Sequence, residues 1–275
     1  AMTIQSAIYL AGNKRKLFKD IYPHLEGRST LIDLFTGSGT VSINCVDKGT
    51  FKEVIANDGL LPLYKLHKWL QSDDLDWESI VDLNSQYSKS KEDYLELRLN
   101  YNHCPTELKL LLLQYRSNSN MMRWNAKMEF NMTWGDRLRF DLDRLKLHNT
   151  LSKSIEFHNN DFADMLELVK ERYSGKEKDV VIYADCPYFS STAVYQEGGK
   201  WSENDNQTLF EYMDFFTDLG YKMVMSNVFS NRGVAHQGLI DWVTDNARYD
   251  VHHLDISYAN SSFRKSDKVT DEVLI

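Results

Sequence analysis

Two periods organise the apolar positions of this chain. Short continuous runs, Thr30-Leu31-Ile32-Asp33-Leu34, Glu53-Val54-Ile55-Ala56-Asn57-Asp58, Ile155-Glu156-Phe157-His158, Val180-Val181-Ile182-Tyr183-Ala184 and Lys222-Met223-Val224-Met225, read as strands buried on both faces. Between them, apolar residues fall at helical spacing: Leu17, Phe18, Ile21 and Leu25, then Val41 to Val46, Ala163 to Arg172 and Asn206 to Leu219. Strands alternating with helices predict an α/β fold around a largely parallel sheet, with Tyr249 to Ile256 and Glu272 to Ile275 as its last strands. From Pro62 to Leu113 the pattern is helical only, marked by Leu63, Leu66 and Leu70, then Tyr94, Leu95 and Leu99, then Leu108 to Leu113. So many consecutive helices do not fit a βαβ repeat. They predict an inserted helical subdomain, residues 62–153, interrupting a domain made of 1–61 and 154–275.

Candidate chemistry collects where the predicted strands end. The first strand runs through Asp33 and Phe35 into Gly37-Ser38-Gly39, a turn that lets a ligand approach backbone and offers the N–H groups of the following helix. The second ends at Asp58, 19 positions after Gly39, about where nucleotide-binding folds place a ribose-binding acid. The dinucleotide pattern's third glycine is missing, and Asp33 would repel a pyrophosphate while attracting an ammonium or sulfonium, so a cofactor without phosphates fits better. Asp161 and Phe162 follow the third strand, where Asp161 serves either an adenine amino group or the N-cap of the next helix. After the fourth comes Asp185-Cys186-Pro187-Tyr188. The Asp185 carboxylate and the carbonyl of residue 186 can each accept one N–H of an exocyclic amine while Tyr188 stacks on its ring. The alternative is a strand followed by an ordinary proline turn and a packed tyrosine. Gly12-Asn13-Lys14 reads as a loop opening the first helix, and Ser190 to Trp201, with Tyr195, as a glycine-containing loop.

Composition narrows the partners. With 275 residues and 42% hydrophobic content, the chain buries a large core, and its apolar runs are too short to cross a bilayer. Three scattered cysteines and eight histidines without ligand spacing predict no disulfide framework and no metal, which points to a reducing cytoplasm. The net charge of −8 disfavours nucleic acid, but it is unevenly spread. Gln71 to Glu96 holds eight acids against two lysines, whereas Arg116 to Phe140 carries five basic residues against Glu129 and Asp136. Within that basic stretch Arg116, Asn118, Asn120, Met122, Arg123, Trp124 and Asn125 crowd together. Arginine and asparagine read guanine and adenine edges, and methionine or an aromatic can wedge into a base stack; the alternative is a polar loop closing the insertion.

Taken together, the motifs Gly12-Asn13-Lys14, Asp33 to Gly39, Ala56 to Asp58, Asn120 to Gly135, Asn160 to Phe162, Asp185 to Tyr188, Met225 to Val228 and Thr270 to Val273 make the chain resemble the Dam family of DNA adenine-N6 methyltransferases, phage forms included. The resemblance implies a class I methyltransferase, Rossmann-like, with a seven-stranded mixed sheet and an inserted target-recognition subdomain. It implies S-adenosyl-L-methionine as cofactor, with Tyr9, Asn13, Lys14 and Phe35 beside it, Asp33, Gly37 and Gly39 around its methionine part, Asp58 at its ribose, and Asp161 with Phe162 at its adenine. The partner it implies is double-stranded DNA, read by the stretch from Arg116 to Asn125 and by Tyr195, with GATC as the expected site and a monomer as the expected state. Asp185, Cys186, Pro187 and Tyr188 would accept the hydrogens of a flipped-out adenine N6 and hold it for direct transfer. Three positions depart from the family pattern: Cys186 and Thr133 stand where proline is usual, and Met128 where glycine is. Alternatives are an N4-cytosine or RNA-base methyltransferase, or a DNA-binding relative without catalysis.

Overall fold

The computed structural model describes residues 2–187, 201–231, 234–254 and 271–275. Parallel strands β1 (Thr30–Asp33), β2 (Glu53–Asn57), β3 (Ile155–His158), β4 (Val180–Asp185) and β5 (Lys222–Asn231) form the body of the sheet. The two-residue β6 (Val234–Ala235) folds back on the end of β5, and β7 (His252–His253) and β8 (Asp271–Leu274) complete the order β3-β2-β1-β4-β5-β8-β7, with β8 antiparallel to both neighbours. The seven expected strands are therefore present, and β6 adds an eighth that its two exposed residues gave no period to reveal.

Alternation along each strand feeds two cores. Val180, Ile182 and Ala184 of β4 join one cluster, and Val181 and Tyr183 the other. The first is covered by α8 (Phe162–Arg172), α9 (Glu203–Leu219) and α10 (Gln237–Thr244), through residues such as Met165, Leu209 and Leu239. The second is covered by α1 (Phe18–Leu25) and α2 (Thr40–Lys48), through Ile21, Leu25 and Ile43. Each such side chain contributes about 1.5–3 kcal/mol on burial, which explains why central strands with both faces covered are apolar throughout. The chain leaves β1 toward one neighbour and β4 toward the other, so a crevice opens at their carboxyl ends.

Between β2 and β3 lie α3 (Leu61–Leu70), α4 (Trp77–Gln86), α5 (Lys91–His103), α6 (Glu107–Gln114) and α7 (Leu142–Ser152). Asp76, Ser90, Thr106 and Asp141 each accept a backbone N–H at the start of α4, α5, α6 and α7, satisfying donors a helix start leaves orphaned. These helices surround a third core of Leu63, Leu66, Tyr94, Leu97, Leu111 and Leu145. The N-terminal residues Ala7, Ile8, Tyr9 and Leu10 pack into this core, whereas Ile4, a few residues earlier, packs on the sheet side and bonds Asn44 of α2.

The polar stretch after α6 has no helical or strand period in the sequence, yet it forms a hairpin. Ser117 bridges Trp134 and Trp124 bridges Phe130 in antiparallel fashion. Its tip is a turn closed by the Met128 N–H donating to Asn125 O (3.0 Å), while Asn125 Oδ1 accepts from the N–H groups of Lys127 and Glu129. Met128 adopts φ 62°, the left-handed region where glycine is at ease and a side chain is not. One face of α5 seats the hairpin: Tyr94 and Arg98 donate to Met132 O, and Asn102 exchanges two hydrogen bonds with Phe130 backbone. Residues 94, 98 and 102 are successive turns of one helix face, so an α-helical period specifies the seat.

Candidate active site

The crevice holds a cavity of ≈ 320 Å³ walled by the carboxyl ends of β1, β2 and β4 and by the N-terminal loop. Asn13, Lys14, Asp33, Phe35, Gly37, Asp58, Asp161, Phe162, Asp185 and Pro187 all line it. Tyr9 and Gly39 do not. Tyr9 is buried in the helical core, stacked at 4.8 Å on Tyr115 with the guanidinium groups of Arg139 and Arg144 over its ring. Gly39 sits behind the turn as the left-handed N-cap of α2, and a Cβ there would come within 2.9 Å of the His67 ring. Tyr188 and Tyr195 lie outside the described residues.

Of the five aspartates that line the cavity, Asp33, Asp58 and Asp185 differ in what holds them. Asp33 is almost fully buried; its Oδ2 accepts from Thr36 Oγ1 (2.8 Å) and Ser42 Oγ (2.6 Å), but its buried Oδ1 has no partner among the described residues. Desolvation raises its pKa to about 7, against the pull of those two hydroxyls. Asp58 accepts from the N–H groups of Gly37 and Leu60, both at 3.0 Å, and burial raises its pKa to about 6. Those bonds leave Asp58 shaping the glycine turn while still facing the cavity. Asp185, at the end of β4, is ion-paired at 3.2 Å with Lys14, whose ammonium also donates to Gly12 O at 3.0 Å. Burial pushes the Asp185 pKa up, and Lys14 pulls it back toward the charged form. Asn13 fixes this loop by donating to Leu10 O and accepting from the Arg15 N–H.

Beside Asp185, Cys186 is buried, and its sulfur accepts from Asn227 Nδ2 at 3.2 Å. Burial drives its thiol pKa upward, so it stays protonated and is no thiolate nucleophile. The opposite wall is aromatic. Phe35 and Phe162 lie 5.7 Å apart, and Trp201 packs on both, at 5.5 and 5.2 Å. Sequence reasoning missed Trp201 and Asp205 in this cavity; the signal was the Ser202-to-Asp205 capping box, which starts α9 three residues earlier than the apolar period does. Asp161 caps α8 through the Ala163 N–H, and it also lines the cavity.

The residues expected to face DNA divide sharply. Arg116 is completely buried and donates to Leu112 O, to Asn84 O and Oδ1 and to Tyr87 O; it is therefore corrected to a structural arginine that supplies donors to the end of α4. Asn120 and Met122 are also buried, Asn120 between Gln114 O and the Arg137 guanidinium and Met122 in the helical core, so neither presents an edge to a base. Asn118 and Asn125 are exposed, Arg123 and Trp124 half-buried. Arg123 commits Nε and Nη2 to Asn131, each at 2.8 Å, which holds its fork rigid; Nη1 has no partner among the described residues.

A sheet ordered β3-β2-β1-β4-β5-β8-β7, with a glycine turn after β1 and an acid-proline turn after β4, has the class I methyltransferase fold. The sequence profile of the D12 class N6 adenine-specific DNA methyltransferases matches residues 10–257, and the chain belongs to that family. Modification methylase StsI of Streptococcus sanguinis is 29% identical over 99% of this chain, and type II methyltransferase M.FokI of Planomicrobium okeanokoites is 26% identical over 99%. The chain spans 42% of the length of each. A DNA adenine methylase of Salmonella typhi is 28% identical over 67% of this chain and 66% of its own. Among the described residues no helix is long and apolar enough to cross a membrane, and no group of histidine, cysteine and acidic residues is placed to hold a metal ion.

Proposed function

We propose that this protein transfers a methyl group from S-adenosylmethionine to N6 of adenine in double-stranded DNA. The observation that carries the proposal is one cavity, in a chain of this family, joining a buried carboxylate oxygen without a partner among the described residues, Asp33 Oδ1, to an acid at the strand end, Asp185, ion-paired with Lys14. The residues present fit the cofactor: an unpartnered buried oxygen suits a cation, Asp58 suits ribose hydroxyls, and Phe35, Phe162 and Trp201 offer flat apolar surface to a purine. Bound there, S-adenosylmethionine supplies an electrophilic methyl on a sulfonium.

The remaining work falls to the chain. An adenine amino group is a poor nucleophile because its lone pair is conjugated into the ring. Asp185 and the carbonyl of Cys186 accept hydrogen bonds from its two N–H groups and return electron density to nitrogen; once the N6–methyl bond has formed at the expense of the sulfur–methyl bond, the nitrogen releases one proton to solvent. Lys14 favours the ionised Asp185, the form that accepts. The hairpin supplies sequence reading, with Arg123 as the guanine contact and Trp124 and Asn125 near the tip. StsI is a modification methylase, which supports a restriction-modification setting for this chain too.

The test is methyl transfer from labelled S-adenosylmethionine to duplexes carrying GATC, an altered adenine, or scrambled flanks, followed by nucleoside analysis. N6-methyladenine confined to GATC supports the chemistry and that site. The same product in other sequences keeps the chemistry and moves specificity to the hairpin departures Met128 and Thr133. N4-methylcytosine, or no product from protein that binds cofactor, overturns the proposal.

A further inference from the structure

His67, on α3 of the insertion, is buried and has no part in the chemistry above. Its Nε2 lies 2.7 Å from the carbonyl oxygen of Gly37. The N–H of that same glycine donates to Asp58, so the residue at the crest of the cofactor turn is gripped at both ends, by the sheet domain at one and by the insertion at the other. Burial lowers the His67 pKa to about 4, leaving the ring neutral, and a carbonyl partner requires the proton to sit on Nε2. Nδ1 is then an acceptor, and it is buried without a partner. A ring serving only to pack against Phe157, on which His67 stacks at 4.7 Å, would be better as phenylalanine, with no nitrogen left unsatisfied. The histidine therefore answers to Gly37. Its Cε1 also lies where a Cβ on Gly39 would come within 2.9 Å, so the ring backs both glycines of the turn.

We propose that His67 is a positioning residue for methyl transfer: from the recognition insertion, it fixes the Gly37 carbonyl and hence the shape of the turn on which the cofactor rests. The link continues outward. His67 stacks at 6.3 Å on His148 of α7, and His148 Nδ1 accepts the N–H of Ala7, which begins the segment leading to Lys14. The inference rests on the reading of the cavity as the S-adenosylmethionine site.

The experiment compares His67→Gln with His67→Asn. Both lose the ring, but glutamine places an N–H at the reach of Nε2 and asparagine only at that of Nδ1. Dissociation constants for S-adenosylhomocysteine are measured by calorimetry without DNA, and KM and kcat for S-adenosylmethionine with duplex DNA, after melting curves confirm the folded fraction. The asparagine variant is expected to bind S-adenosylhomocysteine about tenfold more weakly than the glutamine variant, with KM raised in step and kcat at saturation nearly unchanged. Equal affinities in the two variants, or a fall in kcat with KM unchanged, would show a merely structural histidine. Absence of binding by the parent protein would instead overturn the cofactor reading itself, and the inference with it.

Discussion

With the cavity read as the S-adenosylmethionine site, Asp33 is expected to make cofactor binding a proton-releasing step. With its pKa raised to about 7 by burial, Asp33 is largely protonated at pH 6 and largely ionised at pH 8. A cationic ligand placed at its unpartnered Oδ1 favours the ionised form. Binding then expels the proton, and apparent affinity rises with pH, by about tenfold between pH 6 and pH 8 when only the ionised form binds. Asp58, at about 6, adds a smaller step of the same sign on the acid side. Stability of the unliganded protein runs the other way. The folded-state pKa of Asp33 lies above its ordinary 3.8, so the folded protein holds the proton more tightly, and stability falls as pH rises from about 4 to 7. The assay is titration calorimetry with S-adenosylhomocysteine, which keeps the ammonium, in two buffers of different ionisation heat. A buffer-dependent heat near pH 7 is expected, and Asp33→Asn should bind more weakly and lose the pH dependence that centres there. A parent affinity flat from pH 6 to 8, with no buffer dependence, refutes the assignment of Asp33 to a cationic group.

Three other perturbations separate structural from chemical roles. Arg116→Met leaves the carbonyls of Asn84, Tyr87 and Leu112 without their donor, so denaturant unfolding should show a loss of roughly 3 kcal/mol or more with unchanged base preference; a normal midpoint with altered preference would return Arg116 to the DNA face. Lys14→Met removes the cation beside Asp185, whose pKa must then rise further, so the acid limb of the pH–rate profile should move to higher pH; an unmoved limb would mean that Asp185 is not the group titrating in catalysis. Cys186→Pro restores a ring that fixes φ at the accepting carbonyl, and single-turnover methylation should quicken by a few-fold. An unchanged or slower rate would mean that burial and the Asn227 contact already hold that carbonyl.

The strand-end acids were legible because each closes an apolar run, so Asp33, Asp58 and Asp185 had to emerge together at one edge of a parallel sheet. The recognition stretch was not. Residue type there reports hydrogen-bonding capacity but not which partner claims it. Arg116 turns inward because α4 ends with no basic residue in its last turn, leaving carbonyls that need a donor from elsewhere. The hairpin escaped notice for a related reason. Only isolated bridges hold it as a ladder, and its seat is specified by side chains of α5, at a helical spacing that looks like ordinary amphipathicity. His67 carried no local pattern at all, since its meaning lies in Gly37, remote in sequence; the capping box after Trp201 marked only a helix start, and the partners of that tryptophan, Phe35 and Phe162, are remote as well.

Tyr9 shows what such remoteness does to function. Expected beside the cofactor, it is instead clamped in the helical core: its N–H donates to Gln114 Oε1, its ring stacks on Tyr115, and the Tyr115 hydroxyl in turn donates to Ala7 O. A few residues on, the same segment passes Gly12 in the left-handed region and delivers Lys14 to Asp185. One continuous stretch is thus anchored among the insertion helices at its start and pairs with the acid of β4 at its end. The loop between is short and closed on itself by Asn13, which leaves little slack. A shift of α6 or α7 against the sheet must therefore be felt at Lys14, and through it at the charge and orientation of Asp185. The histidine on α3 reaches the opposite wall of the same cavity through Gly37. The insertion helices and the cavity are joined by two separate tethers, so the geometry of the cavity is a property of the insertion as much as of the sheet.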